Sequence, residues 1–177
     1  MRELVQLLLK LTVLKGYSSL RLTKGPNARI QTLGHPGCPL TLNDGRFLRL
    51  YSVMALEPTE HGTRLKVRSN GYQYQTDADG DNWIFRYDYQ REPPDLHPPA
   101  HVQVRGTLHE DCLPPHCPLE RIHLPTGRIS LEAVIRLLVE QFGIDTNEEP
   151  AVWRPVLAES EGIFKSIAHQ PLSGPHV

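Results

Sequence analysis

The middle of the chain carries two segments in which polar and apolar residues alternate, WIFRYDY at residues 83–89 and HVQVR at residues 101–105. Alternation with a period of two is typical of a β-strand with one buried face, because successive side chains point to opposite sides. A proline-rich connection, residues 90–100, joins the segments, so we expect the two strands to pair antiparallel. The predicted core side consists of Phe85, Tyr87, Tyr89, Val102 and Val104.

Further strand candidates extend this pair toward the N-terminus. Residues 47–54 are rich in leucine, tyrosine and valine, and residues 64–68 and 72–75 continue the alternation on either side of Asn70-Gly71. These segments predict an antiparallel meander over residues 47–105. Residues 16–46 are rich in turn residues, and we expect one or two short strands among them.

Helical periodicity occurs toward both ends of the chain. Leucines repeat at helical spacing within residues 3–15 and predict an amphipathic N-terminal helix. Ser130 is a good N-cap for a second helix over residues 130–143, and a third helix is predicted over residues 151–168.

Together these elements predict an α+β fold. It consists of a four- to five-stranded antiparallel sheet with helices packed on one face and an N-terminal amphipathic helix. We expect one domain over residues 1–170, followed by a flexible tail at residues 171–177.

Composition excludes several classes of protein. The chain has 177 residues, of which 39% are hydrophobic and 22% are charged, so it can form a core and is not disordered by composition. The formal net charge of −1 excludes a protein that binds polyanions through its overall field. No run of about 18 apolar residues occurs, so we expect no contact with a membrane. Three cysteines and the lack of a secretory pattern favour a cytoplasmic protein.

The densest group of polar residues lies on the two central strands. If the aromatic residues face the core, the opposite face of the strand pair carries Arg86, Asp88, His101, Gln103 and Arg105. His97 lies on the loop above this face, and His123 comes from a later segment that can join it. We expect these side chains to form one polar patch.

Such a patch suits chemistry on a phosphodiester. Two arginines can hold a phosphate through paired N–H donors. A histidine titrates near neutral pH and can move a proton, and a carboxylate such as Asp88 can fix the imidazole tautomer. Arginine and histidine without a metal fit the attack of a ribose 2′-hydroxyl on its own phosphodiester. The alternative interpretation is a solvated sheet face with surface ion pairs.

Four motifs resemble one small bacterial family. Arg86-Tyr87-Asp88, the segments 97–104 and 122–125, and the helix start Ser130-Leu131-Glu132 occur in the order of the TumE-type toxins of type II toxin–antitoxin modules. The similarity covers roughly residues 64–143. Tyr89 stands where the family often has asparagine, and Gln103 stands at the second histidine of a His-Val-His pair.

The resemblance implies a ribonuclease-like toxin that is neutralised by a helix-turn-helix antitoxin. We therefore expect a metal-independent ribonuclease with no cofactor, whose partners are RNA, an antitoxin-like protein and, in a homodimer, a second copy of the chain. The predicted catalytic residues are His101, His97, Asp88 and His123. The predicted substrate-binding residues are Arg86, Arg105 and Gln103.

The residues themselves leave two other hypotheses open beside the ribonuclease. The chain could be a non-catalytic protein-interaction subunit of a bacterial regulatory or defence complex, since amphipathic helices flank the sheet. A zinc site is a second hypothesis, although its spacing is irregular. Its ligands would come from His109, Cys112, His116 and Cys117, completed by Cys38 and His123.

Overall fold

One antiparallel sheet flanked by helices organises the chain. The structure, a computed structural model, describes residues 2–16, 20–23, 27–32, 38–60, 62–94, 96–106 and 123–168. The helices are α1 (Arg2–Leu11), α2 (Leu131–Glu140) and α3 (Pro150–Ala168). The strands are β1 (Leu20–Thr23), β2 (Asn27–Thr32), β3 (Leu40–Thr41), β4 (Phe47–Thr59), β5 (Gly62–Gln75), β6 (Trp83–Gln90), β7 (Ala100–Val104) and β8 (Leu124–Pro125). The predicted α+β class is confirmed.

The sheet is larger than predicted. Within the described residues it has eight strands rather than four to five, in the order β1-β2-β4-β5-β6-β7-β8, with β3 paired to β4. The strand candidates 64–68 and 72–75 belong to the single strand β5, which runs through Asn70 and Gly71 without a turn. Three of the strands, β1, β2 and β3, lie within residues 16–46, where we expected one or two, and β8 has only two residues, which is too few for an alternating pattern.

The helices cover one face of the sheet. Tyr74 and Phe85 contribute aromatic rings to this face, and Phe142, after α2, packs against both at centroid distances of 4.9 and 5.9 Å. Trp153 on α3 is 2% exposed and belongs to the same core. Val104, which we expected in the core, is 36% exposed and is the last residue of β7.

The start of α2 is fixed by its cap and by the sheet. The side chain of Ser130 accepts a 3.1 Å hydrogen bond from the amide of Ala133, as expected of an N-cap. The amide of Ile129 donates a 2.9 Å hydrogen bond to the hydroxyl of Tyr87 on β6. The entry to α2 is therefore tied directly to a central strand. The helix ends at Glu140, three residues before the predicted end at 143.

The end of α1 is completed by residues far along the chain. The helix ends at Leu11, four residues before the predicted end at 15. Asn147 donates from its side chain to the carbonyls of Lys10 at 2.9 Å and of Leu14 at 2.7 Å. The amide of Asn147 also donates to the carbonyl of Thr12 at 2.9 Å. These bonds satisfy carbonyls that a helix end leaves without partners, so the chain can leave the helix early.

Replacing Asn147 with alanine is expected to lower the free energy of unfolding by about 1.5–4.5 kcal/mol, since three side-chain hydrogen bonds of about 0.5–1.5 kcal/mol each are lost: two donated to backbone carbonyls and one accepted from Asn43. Urea unfolding followed by circular dichroism measures the change. The matched control is Glu149→Ala, at an exposed position two residues on, for which we expect a change within about 0.5 kcal/mol. Equal effects of the two substitutions would contradict a capping role for Asn147.

Candidate functional site

The polar residues predicted on the central strands share one face of the sheet. β6 and β7 pair so that Arg86 lies opposite Gln103 and Asp88 lies opposite His101. The other face, against the helices, carries the buried residues Phe85, Tyr87 and Tyr89. Side chains that face each other across neighbouring strands lie close enough to act on one bound molecule.

A row of three residues crosses this face from strand to strand. Tyr51 on β4, Gly71 on β5 and Asp88 on β6 are direct register partners. Because Gly71 has no side chain, the ring of Tyr51 reaches across β5, and its hydroxyl donates a 3.0 Å hydrogen bond to Asp88 Oδ1. A methyl group at Gly71 would overlap the ring of Tyr51 and lie 2.8 Å from Asp88 Oδ1. Position 71 therefore requires a glycine, because the ring of Tyr51 and the carboxylate of Asp88 lie close to the backbone of β5 there.

Replacing Gly71 with alanine is expected to displace Tyr51 and lower the free energy of unfolding by about 1–3 kcal/mol, the usual cost of overpacking. Thermal unfolding of the purified protein measures the effect. In a Tyr51→Ala background the ring is absent, so Gly71→Ala should cost clearly less than it does alone. An undiminished cost in that background would show that Tyr51 does not set the requirement for glycine.

Three histidines from two segments of the chain meet beside this row, and we call His97, His101 and His123 the histidine cluster. The ring centroids are 4.2 Å apart for His97 and His123, 4.6 Å for His101 and His123, and 6.0 Å for His97 and His101. His123 immediately precedes β8, whose pairing with β7 brings the two segments alongside. His101 is 9% exposed and His97 is exposed, so the cluster extends from the sheet surface to solvent.

A backbone carbonyl orients His101. Its Nδ1 lies 3.1 Å from the carbonyl oxygen of Pro98, which can only accept a hydrogen bond. The proton of the neutral ring therefore lies on Nδ1, and Nε2 is the ring's acceptor. We expected Asp88 to fix this tautomer, but Asp88 instead accepts from Tyr51 and lies 3.8 Å from Arg86 Nε, measured at Oδ2. Pro98 takes the orienting role.

Arg86 is held through one of its nitrogens. Its Nε donates a 3.1 Å hydrogen bond to Gln73 Oε1 and lies 3.8 Å from Asp88 Oδ2. The side chain is 48% exposed. Since both contacts use Nε, the two terminal amino groups of Arg86 make no bond within the described ranges and can bind a phosphate.

Gln103 and Arg105 differ in their surroundings, although they follow each other on one face. Gln103 Nε2 lies 3.4 Å from His123 Nε2, which links the strand to the histidine cluster. Arg105 donates from its guanidinium to the backbone carbonyl of Asp81, in the turn between β5 and β6. The structure thus brings Gln103 to the histidines and directs Arg105 toward the turn. Substrate binding by Arg105 stays a prediction.

Across the part of the chain that the structure describes, no three His, Cys, Asp or Glu side chains are arranged to hold a metal ion. Cys38 is exposed and forms no disulfide bond with a described residue. The other residues of the zinc hypothesis, His109, Cys112, His116 and Cys117, lie outside the described residues.

Three residues that contribute to the site were not predicted from the sequence. Tyr51 and Gln73 come from strands predicted only as scaffold, and Pro98 contributes a carbonyl rather than a side chain. For Tyr51 a signal existed, because a glycine within a strand pattern often marks close approach by another group. For Gln73 the period-two pattern predicts the face of the sheet on which the side chain lies, but it does not predict the hydrogen bond that Gln73 accepts from Arg86.

The chain was compared with models of known protein families, with curated proteins and with solved structures, and none of the three comparisons found a match. None of the helices described for this chain has the length and apolar character needed to cross a membrane.

Proposed function

We propose that this protein is a toxin-like, metal-independent ribonuclease whose active site is the histidine cluster together with Arg86. The observation that carries the proposal is the mutual contact of His97, His101 and His123 on a sheet face that also presents an exposed guanidinium. Cleavage of RNA through its own 2′-hydroxyl needs a base, an acid and a cation for the phosphate, and the histidines and the arginine of this group can fill these three roles.

His101 is the proposed general base. Its Nε2 is the acceptor of the neutral ring, since Nδ1 faces the carbonyl of Pro98. The base removes the proton of a ribose 2′-hydroxyl, and the 2′-oxygen then forms a bond to the adjacent phosphorus. The bond from phosphorus to the 5′-oxygen breaks, and His97, the exposed member of the cluster, donates a proton to that oxygen from its protonated form. The products are a 2′,3′-cyclic phosphate and a 5′-hydroxyl, and no co-reactant is consumed.

Arg86, Gln103 and Asp88 support this chemistry in different ways. The terminal amino groups of Arg86 are proposed to bind the non-bridging phosphate oxygens, where negative charge increases in the transition state. Gln103, 3.4 Å from His123, positions that ring. Asp88 is proposed to position Arg86 rather than His101, since its Oδ2 lies 3.8 Å from Arg86 Nε.

Incubating the purified protein with a short single-stranded RNA in excess chelator tests the function. We expect cleavage without a divalent metal and fragments that end in a 2′,3′-cyclic phosphate. An RNA with one 2′-deoxynucleotide at the cleaved position is the matched substrate control and should stay intact there. Absence of cleavage under all conditions, or cleavage only after Mg²⁺ or Mn²⁺ is added, would contradict the proposal.

The proposed setting is the bacterial cytoplasm, with RNA as substrate and an antitoxin-like helix-turn-helix protein as partner, as the family resemblance implies. Leu4 and Leu7 on α1 are 39% and 46% exposed, which leaves apolar surface that a partner helix could cover. A second copy of the chain would compete for this surface in a homodimer. Sedimentation of the protein alone, and with the product of the adjacent gene, distinguishes these partners.

The same apolar surface favours the second candidate function, a non-catalytic protein-interaction subunit. It predicts a stable complex with the adjacent gene product and no RNA turnover by the protein alone. The RNA assay and the sedimentation experiment together separate the two functions.

A further inference from the structure

An exposed aromatic ring lies on the face of the sheet that carries Arg86 and Asp88. Tyr51 is 37% exposed, and every other phenylalanine, tyrosine and tryptophan side chain that the structure describes is more buried. Tyr72 and Tyr87, on the neighbouring strands, belong to the core on the opposite face. Tyr51 is not a member of that core, so the exposed part of its ring is surface on which a ligand can pack.

The sheet accommodates this ring through a residue that weakens a strand. Gly71 on β5 is the register partner of Tyr51, and a methyl group at position 71 would overlap the ring. Glycine within a strand is destabilising, because it loses the most conformational freedom on folding and has no side chain to pack. Since the ring that requires this glycine does not belong to the core, the arrangement indicates a role for Tyr51 in binding rather than in stability.

The ring is held beside the proposed phosphate-binding group. Its hydroxyl donates a 3.0 Å hydrogen bond to Asp88 Oδ1, and Oδ2 of the same carboxylate lies 3.8 Å from Arg86 Nε. A single carboxylate therefore separates the ring from the guanidinium. Asp88 is also the register partner of His101 on the next strand, β7. The ring, the guanidinium and the histidine cluster thus follow one another across strands that are about 4.8 Å apart.

An aromatic ring next to a phosphate site provides the two contacts that one nucleotide needs. Unpaired bases stack on aromatic side chains, whereas the bases of a duplex are already stacked on one another. A phosphate bound by Arg86 brings an adjoining base to the neighbouring strand, where Tyr51 lies. Because every base has a π-face, such a contact selects an unpaired base and not a particular sequence.

We propose that Tyr51 is a nucleobase-stacking residue, against whose exposed ring packs a base that adjoins the phosphate bound by Arg86. This inference rests on the proposed ribonuclease function and restricts its substrate to single-stranded RNA, which crosses the sheet from β4 to β7. Tyr51 binds the substrate and transfers no proton. The hydrogen bond to Asp88 holds the ring in place, and the ring itself makes the contact with the base.

A single-stranded RNA with a 2′-O-methyl group on every ribose tests the contact without cleavage, because it has no attacking hydroxyl. Fluorescence anisotropy of the labelled RNA measures its Kd. We expect Tyr51→Leu to weaken binding about 5- to 150-fold, the usual effect of losing one stacked base, and Tyr51→Phe, which keeps the ring, to change it less than about twofold. Leu56→Ala, at a 62% exposed position of the same strand, is the control and should leave the Kd unchanged. Equal binding by wild type and Tyr51→Leu, or no binding by wild type, would overturn the proposal.

Changes in the RNA assign the contact from the side of the ligand. One abasic position should weaken binding to the wild type by about fivefold or more, and the same change should have little further effect in Tyr51→Leu, because both remove one contact. A duplex of the same sequence should bind wild type and Tyr51→Leu equally. Circular dichroism checks the fold of each variant. If no single abasic position weakens binding to the wild type, or if Tyr51→Leu weakens duplex binding as much as single-strand binding, the stacking contact is excluded.

The two proposals can fail separately. If Tyr51→Leu cleaves unmodified RNA with an unaltered KM, the stacking contact is wrong and the ribonuclease stands. If binding depends on Tyr51 as expected but the wild type cleaves no RNA, the ribonuclease is wrong and the stacking contact stands.

Discussion

Replacing His101 with alanine is expected to lower the rate of RNA cleavage by a factor of about 10²–10⁴, the usual contribution of a general acid or base. His101 is the member of the histidine cluster whose tautomer is fixed by a backbone carbonyl, at 3.1 Å from Pro98. It also lies on the paired strand β7, which fixes its backbone position opposite Asp88. Single-turnover cleavage of a labelled RNA in chelator measures the rate.

The controls for this prediction separate chemistry from folding. Val102→Ala alters the next residue of the same strand, which faces the other side of the sheet, and should leave most of the activity. Arg86→Lys keeps the charge but loses the paired donors, so it should bind RNA and cleave it more slowly. A His101→Ala protein that is folded by circular dichroism and cleaves RNA at the unaltered rate would exclude His101 as the base.

Replacing Trp153 with alanine is expected to produce the largest loss of stability, about 3–5 kcal/mol in the free energy of unfolding. Trp153 is 2% exposed and is the largest fully buried side chain of the described core. For a chain of this length such a loss lowers the melting temperature by roughly 6–20 °C. Differential scanning calorimetry measures it directly.

Two neighbouring substitutions test the physical reason for this loss. Val152 is 47% exposed, so Val152→Ala should change the free energy of unfolding by no more than about 0.5 kcal/mol. Trp153→Phe should cost less than Trp153→Ala, because it fills more of the space and removes an indole N–H that has no partner within the described core. A loss below about 1 kcal/mol for Trp153→Ala would contradict its place in the core.

The central part of the site followed from the sequence because alternation is a strong constraint. Once Phe85 and Tyr87 face the core, Arg86 and Asp88 must face the other side, and the antiparallel register brings them opposite Gln103 and His101. The N-cap at Ser130 was predicted for the same kind of reason, since a local hydrogen bond determines it.

Contacts between distant segments could not be derived in this way. The end of α1 depends on Asn147, and nothing within residues 3–15 indicates that partner. Helical spacing also predicts one apolar face made of Leu4, Leu7, Leu8 and Leu11. The structure buries Leu8, and Leu9 beside it, but leaves Leu4 and Leu7 39% and 46% exposed. Tertiary packing rather than local pattern selects which side of a short helix is buried.

The asparagine contact between the end of α1 and residue 147 has a consequence for synthesis of the protein. A ribosome releases the chain from its N-terminus, so α1 emerges long before the group that completes it. His123 likewise emerges well after the strand that carries His101. Before residues 123–147 are made, a nascent chain therefore has neither a finished first helix nor an assembled histidine cluster, and the proposed nuclease can become active only after translation has passed these residues.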